Sequence, residues 1–516
     1  MTTLRFLARA ALPLLLIATA AHAAPAPARL RFTVNLNDRA DTLFKVSLRV
    51  DKLTAANDVF QFAATAPGTY QVMDIGRFVH EFHAYDAAGR ELSTSHISTN
   101  QWKLSSPERV REVRYTIEPT WTTHIAEHRV YRMCGSSLSA DHSLMNGQAL
   151  FVMPHGMQAV PISVKLLAPR DWKVSTSLRL SAGQYLADDY DQLVDSPILA
   201  GRLSTARMLV TGVPVDIAVY STHDKITATQ LSQAMRTMLN AAGAFLGKLP
   251  VDRYTFLYTF EERGEGAWEH SYGSEYALQE ADYTPAYGKR ISDIAAHEFF
   301  HVVTPLNLHS EIIEHFNFET PVPSQHLWLY EGSTEWAAQK MHLESGLKTA
   351  DEYLATVVGK MKNDRAAYDS TWSLTELAVT SYSDSGQRQY GNIYMRGAVV
   401  AGLLDIKLLQ LSHGEHGLRD LIQDLSKIYG KKRAFTDDSL FDVIAQHAGP
   451  EVADFLQRYV RSAQHLPVKE YYDLLGITLV EDEKGAPLRF EMNPNPTPDQ
   501  AKLRAAWLGK GGKLAA

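Results

Sequence analysis

From Leu30 to about residue 220, apolar and polar positions alternate, as in Leu30, Phe32, Val34 and Leu36, then Phe44, Val46, Leu48 and Val50, and later Val160, Ile162, Val164 and Leu166. A period of two sends successive side chains to opposite faces of an extended chain, so these runs predict half-buried strands. Pro67-Gly68 and the break at Gly89-Arg90 are turn signals between them. Residues 24–210 therefore read as an antiparallel β domain, a sandwich or saddle.

The pattern changes beyond "VPVDIAVYS". Leu231, Met235, Met238 and Leu239 share one side of a helical run over residues 226–247, followed by the strand-like "YTFLYTF" and by "EERGEGAWEHSYG". After residue 290 helical patterns dominate: one carries "AAHEFFHVVTP", a second begins near Tyr330, and others run through Leu408 and "FDVIAQHAGPEVADFLQRYV". The expected organisation is a multidomain α+β chain, with a mixed α/β catalytic unit over 211–345 and a helical domain over 346–470. Residues 471–516 read as a C-terminal tail, in which the Pro/Asn cluster "EMNPNPTPDQ" predicts turns and the terminal "LGKGGKLAA" a flexible end.

Composition narrows the partners. The 516 residues are 45% hydrophobic, enough to bury several cores, and 51 basic against 58 acidic residues give a net charge of -7. With no long basic run to track a phosphate backbone, nucleic acid is not an expected partner. At the start, Arg5 and Arg9 precede an apolar run ending near Ala20, and Ala21-His22-Ala23 fits a small-x-small cleavage site, so residues 1–23 read as a secretory signal peptide. No other stretch reaches the roughly 18 apolar residues of a membrane helix, and no membrane anchor is expected after cleavage. Cys134 is the only cysteine, which excludes an internal disulfide. These features predict an exported protein of a bacterial periplasm or exterior, stabilised by its folded core and by a metal.

The candidate chemistry begins at "AAHEFFHVVTP", residues 295–305. If residues 293–304 are helical, His297 and His301 project from one face, one turn apart, and both imidazoles can reach a single tetrahedral ion. Glu298 lies about 100° around the helix, beside such an ion, where a general base for water must stand. Pro305 is expected to end the helix. A histidine pair at this spacing is also compatible with ordinary helix composition, and two ligands do not make a catalytic site. "LWLYEGSTEW", residues 327–336, supplies Glu331 in an apolar setting at the start of another helix, and so a third ligand. Glu335 shares its face and could accept the outer N–H of His297.

HExxH followed by a separate W-L-x-E-G resembles the gluzincin metallopeptidases. The offset of 331 − 301 = 30, against about eighteen in the aminopeptidase N type, resembles the glycyl-aminopeptidase family within that group. "APGTYQVMDIGRFVHEF", "YMRGAVVAGLLD" and "FLQRYVRSAQHLPVKEYYDLLGI" agree, extending the resemblance over residues 30 to 476. It implies one zinc ion held by His297, His301 and Glu331, a thermolysin-like catalytic domain, and peptide substrates with free N-termini, Gly or Ala preferred. Cobalt or manganese also suits His and carboxylate ligands. The chain departs from the family at Val302, Val303 and Thr304, which stand where Thr-Trp-Asn is common. The residues after Ile477 are also too few for the PDZ domain many members append.

An exopeptidase needs a countercharge for the substrate's ammonium. "GAWEH", residues 266–270, resembles the exopeptidase motif of related aminopeptidases. The resemblance implies that Glu269 pairs with the ammonium while backbone groups of Gly266 and Ala267 extend the substrate as an added strand. Trp268 would narrow the first subsite. Tyr394 in "YMRGA" resembles the tyrosine of Y-x-K-G-A and would donate to the oxyanion, with Tyr390 in reserve and Arg396 shaping the surroundings of the site. Two alternatives stay open: a zinc endopeptidase, and a non-catalytic peptide-binding module on a peptidase scaffold.

Overall fold

The computed structural model describes residues 29–513 apart from His124 and Ala126, so the expected signal peptide lies outside the described residues. The chain begins in a β region whose largest sheet has eight strands, in the order 179–181, 184–187, 162–167, 30–35, 44–50, 110–117, 79–86 and 91–92. Alternation determines which face is buried. In Leu30–Asn35 every second residue is buried, and a slip of one position would turn Arg31 and Thr33 into the core. The expectation of a purely antiparallel domain needs one correction. Leu30–Asn35 runs antiparallel to Phe44–Val50 but parallel to Ile162–Leu167, because the chain comes back to pair with it by a long crossover through strands of the smaller sheets instead of a hairpin.

The boundary between the β region and the catalytic region also moves. Ser204–Val210 pairs antiparallel with Val213–Ser221, through a turn in which Thr211 (φ 48) and Gly212 (φ 86) are both left-handed, as a tight hairpin matching the strand twist requires. Ser204–Val210 therefore belongs to the second sheet and not to the β domain expected to run to residue 210. That sheet has five strands in the order 204–210, 213–221, 254–261, 273–279 and 266–270. Its centre is parallel: the helix Ala228–Leu246 connects Val213–Ser221 to Tyr254–Glu261, and the latter is buried on both faces for all but its last residue. Gly266–His270 is the edge strand, antiparallel to Gly273–Gln279.

The helix Pro285–Phe300 starts at Thr284, whose hydroxyl accepts from Tyr287 N–H, with Pro285 at the first helical position. It ends at Phe300, earlier than Pro305 suggested. Val302 and Val303 then donate to Phe299 and Phe300, three residues back, so the chain tightens before the proline is reached. Ser333–Glu344, Ala350–Ala367 and Asn392–Leu411 are the main helices beyond it. No helix among the described residues is long and apolar enough to cross a membrane.

The C-terminal segment is folded as far as Leu508, and the described part of the expected flexible end still bonds back to the body, Gly511 N–H donating to Glu344 O and Ala350 N–H to Lys513 O. Ile477–Glu481 and Pro487–Met492 form a hairpin, and the Pro/Asn cluster leads into the helix Pro498–Leu508, capped reciprocally by Thr497 and Gln500. Trp507 is 1% exposed and packs edge-on to Tyr353, while its carbonyl accepts from the buried Lys340 at 2.6 Å. Trp507 and the capping box are among the contacts that anchor the segment, signals too local for composition to reveal.

Candidate active site

Three elements converge on His297. The helix Pro285–Phe300 presents His297 and, at its C-cap, His301. Trp328–Gly332 presents Glu331 from a wide π-type turn, in which Ser333 N–H donates to Trp328 O five residues back. The helix Asn392–Leu411 presents Tyr394. Glycines permit the approach of the last two elements. A Cβ on Gly332 would lie 2.9 Å from the backbone of Gly397, so the glycines in "YEG" and "MRGA" are where these two backbones touch.

His297 Nε2 and His301 Nε2 are 3.2 Å apart, and each is 3.5 Å from Glu331 Oε2. Corners of a tetrahedron with zinc–nitrogen and zinc–oxygen bonds of about 2.0–2.1 Å are about 3.3–3.4 Å apart, so this donor set fits the ion implied by the sequence. Both imidazoles are oriented through their other nitrogens. His297 Nδ1 lies 3.0 Å from Glu335 Oε2, and His301 Nδ1 lies 3.0 Å from Thr304 O. The group that orients His301 is the backbone carbonyl of residue 304, which does not depend on the side chain there.

Glu335 in turn meets Lys360 Nζ at 2.7 Å. Against burial, which would raise it, the bond to His297 and the charge of Lys360 hold the Glu335 carboxyl down to about 2, so it is an anion at any working pH. Glu335→Gln is expected to weaken zinc affinity by about 10- to 100-fold. Competition against a chromophoric chelator measures this, and unchanged affinity would remove Glu335 from the support of His297.

Glu298 is 8% exposed. Burial pushes its carboxyl up to about 7, opposed by the His297 imidazole and reinforced by Glu331 and Glu335. A divalent cation beside it would draw that value down, within the range in which a carboxylate exchanges protons with water near neutrality. The carboxylates of Glu269 and Glu298 and a ring nitrogen of His301 lie within 4.8 Å of one another. Burial, and then the carboxylates of Glu331 and Glu298, push Glu269 well above the usual carboxylate range, which makes it a site that gains from an added cation.

Gly266 and Ala267 are half-buried on the edge strand that carries Glu269. Tyr394 stacks obliquely on His297 with ring centroids 5.6 Å apart, and its hydroxyl is 3.1 Å from that of Tyr390. Two expectations fail. Trp268, 3% exposed, points away from Glu269 into the β-domain core, as alternation on a strand dictates, and donates to Pro67 O at 3.2 Å. It bears on the first subsite only by holding the Pro67-Gly68 turn, where a Cβ on Gly68 would fall 2.8 Å from Trp268 Nε1 and 2.6 Å from Glu269 Oε1. Arg396 donates to the carbonyls of Ser370 and Gln464, each at 3.0 Å, and braces two loops away from the metal ligands.

Sequence reasoning missed Lys360, the Thr304 carbonyl and Tyr70. The Tyr70 hydroxyl reaches within 3.5 Å of Glu331 Oε1 from the β domain. Its φ of 48 is left-handed, a conformation costing a bulky residue about 1–3 kcal/mol. Pro67-Gly68 was legible as a turn, but nothing local indicates where that turn docks.

Comparison with known proteins bears on the fold and the family. Residues 31–202 match the Peptidase M61 N-terminal domain and residues 290–400 match the M61 glycyl aminopeptidase domain. No curated protein matches the chain. A crystal structure of an aminopeptidase N family protein from Idiomarina loihiensis is similar at TM-score 0.77 and 21% identity, covering 89% of this chain and 81% of that one. Native yeast LTA4 hydrolase is similar at TM-score 0.50 and 12% identity, covering 87% and 70%. At these identities the likeness is one of fold. Because the β domain and the helices bearing the metal ligands each match their counterpart in a single family, the chain belongs to the M61 glycyl aminopeptidase family and is a zinc metallopeptidase.

Proposed function

We propose that the enzyme is an aminopeptidase that removes an N-terminal residue, Gly or Ala, from peptides with a free N-terminus. The observation that carries this reading is the position of Glu269: a buried carboxylate on an edge strand, within 4.8 Å of Glu298 and His301. A peptide lying along Gly266–His270 as an added strand brings its ammonium to Glu269. Beyond that point the β domain closes the strand, since a Cβ on Gly68 would fall 2.6 Å from Glu269 Oε1. A closed end favours one short residue before the scissile bond.

Zinc held by His297, His301 and Glu331 would supply a Lewis acid that acidifies water and polarises the scissile carbonyl. The chain's own residues do the rest. Glu298 accepts a proton from the attacking water and returns it to the leaving amine. Tyr394, beside His297, donates its phenolic hydrogen to the oxygen on which negative charge develops. Glu269 holds the substrate by its ammonium, and Glu335 keeps His297 in one tautomer.

N-terminal acetylation is the discriminating test, because it removes the charge Glu269 would bind without altering the scissile bond downstream. Acetylating a Gly-peptide is expected to lower kcat/KM by at least about 100-fold. Equal cleavage of both forms would identify an endopeptidase. We also propose that the enzyme works outside the cytoplasm of a bacterial cell, a reading supported by the leader-like residues 1–23 and by the single, buried Cys134. Finding residues 1–23 on the mature protein by N-terminal sequencing would count against it.

A further inference from the structure

We propose that Tyr70, supplied by the β domain, is a positioning residue for the zinc ligand Glu331, so that the site is incomplete without the N-terminal region. The inference rests on the metal site and is independent of the aminopeptidase reading. The two oxygens of Glu331 face different ways. Oε2 is 3.5 Å from each of His297 Nε2 and His301 Nε2, while Oε1 is 3.5 Å from the Tyr70 hydroxyl. A carboxylate beside a divalent ion can swing to offer both oxygens. At 3.5 Å the hydroxyl stands at the outer limit of hydrogen bonding to Oε1; drawn closer, it would oppose that swing and favour ligation through Oε2 alone.

The loop bearing Tyr70 is built to hold it there. Thr69 bonds back to Ala66 O through its hydroxyl at 2.7 Å, Trp268 Nε1 donates to Pro67 O at 3.2 Å, and Gln387 Nε2 donates to Tyr70 O at 2.6 Å. The ring of Tyr70 lies 5.2 Å from that of Tyr390 and 6.2 Å from that of Tyr382. Its chain neighbours Ala66, Met73 and Ile75 belong to the β-domain core, yet Tyr70 itself, 6% exposed, packs in the core of the catalytic and helical regions. A left-handed φ of 48 on a tyrosine, braced from three elements, is the kind of local strain that persists where surroundings impose it.

The test is Tyr70→Phe in the full chain, which keeps the ring and removes the hydroxyl. Chelator competition is expected to give a zinc affinity at least about 10-fold weaker, with the melting temperature of the metal-free protein unchanged. In the cobalt-substituted protein the visible bands are expected to weaken, as a second carboxylate oxygen moves onto the ion. Zinc affinity within twofold of wild type, with an unchanged cobalt spectrum, would overturn the proposal. So would a parallel fall in the metal-free melting temperature, which assigns the effect to packing. A wild-type chain that takes up no zinc would overturn the metal site as well, and is distinguished from the other outcomes by metal analysis before any substitution is made.

Discussion

Glu298→Gln is expected to lower kcat by about 100- to 10,000-fold while the protein keeps one equivalent of zinc. The substitution preserves shape and hydrogen-bonding capacity but removes the carboxylate that follows the first histidine ligand on the same helix and is not itself one of the three ligands. Glu298 is absent from the His297–His301–Glu331 cluster, so the amide should leave affinity for the metal intact. Its surroundings sharpen the expectation. Burial pushes the Glu298 carboxyl up to about 7 in the metal-free protein, and the ion draws it down from there toward a carboxylate that accepts a proton from water, whereas a glutamine side chain does not titrate in water. Turnover of a Gly-arylamide, measured beside metal content, decides the matter. Retained activity with zinc bound would assign the proton to another group.

The second large effect concerns recognition. Glu269→Ala is expected to reduce kcat/KM on free-amine peptides by about 150- to 4,000-fold, because an ammonium taken into a buried site without its partner costs about 3–5 kcal/mol. Acetylated peptides, already poor, should change little. Stability is expected to move the other way. Glu269 is buried near Glu331 and Glu298, and burial with those charges drives its carboxyl well above the normal range, so the metal-free fold holds it protonated at a cost that its removal relieves. A variant that melts at or above the wild-type temperature yet loses amine-dependent turnover would separate a binding role from a structural one. An unchanged rate on free Gly-peptides would remove the exopeptidase assignment.

Both predictions concern residues legible in the one-dimensional text, and the reason is range. His297, Glu298 and His301 are related by helical geometry within one turn, so their relative placement follows once the segment is helical. Glu331 and Glu335 are likewise one turn apart, and the second lies 3.0 Å from His297 Nδ1 as that spacing suggested. Period two located the strands of the β domain for the same reason. The helix end was misjudged because Pro305 marks only where a helix cannot continue, whereas the chain had already tightened at Val302.

What the sequence by itself determined is the set of local geometries: which segments are strands or helices, which of their faces are apolar, and which groups on a single turn can share an ion. Only the tertiary structure decided what meets across the chain. Ser204–Val210 joined the second sheet through its pairing partner, Trp268 turned to the β-domain core, Gly332 met Gly397, and Tyr70 crossed between domains to Glu331. Local propensity depends on a residue and its near neighbours, whereas contacts between distant segments depend on the shape and packing of whole elements. A tyrosine two residues after Pro67-Gly68 carries no mark in the sequence that its hydroxyl will stand beside a metal ligand 261 positions away.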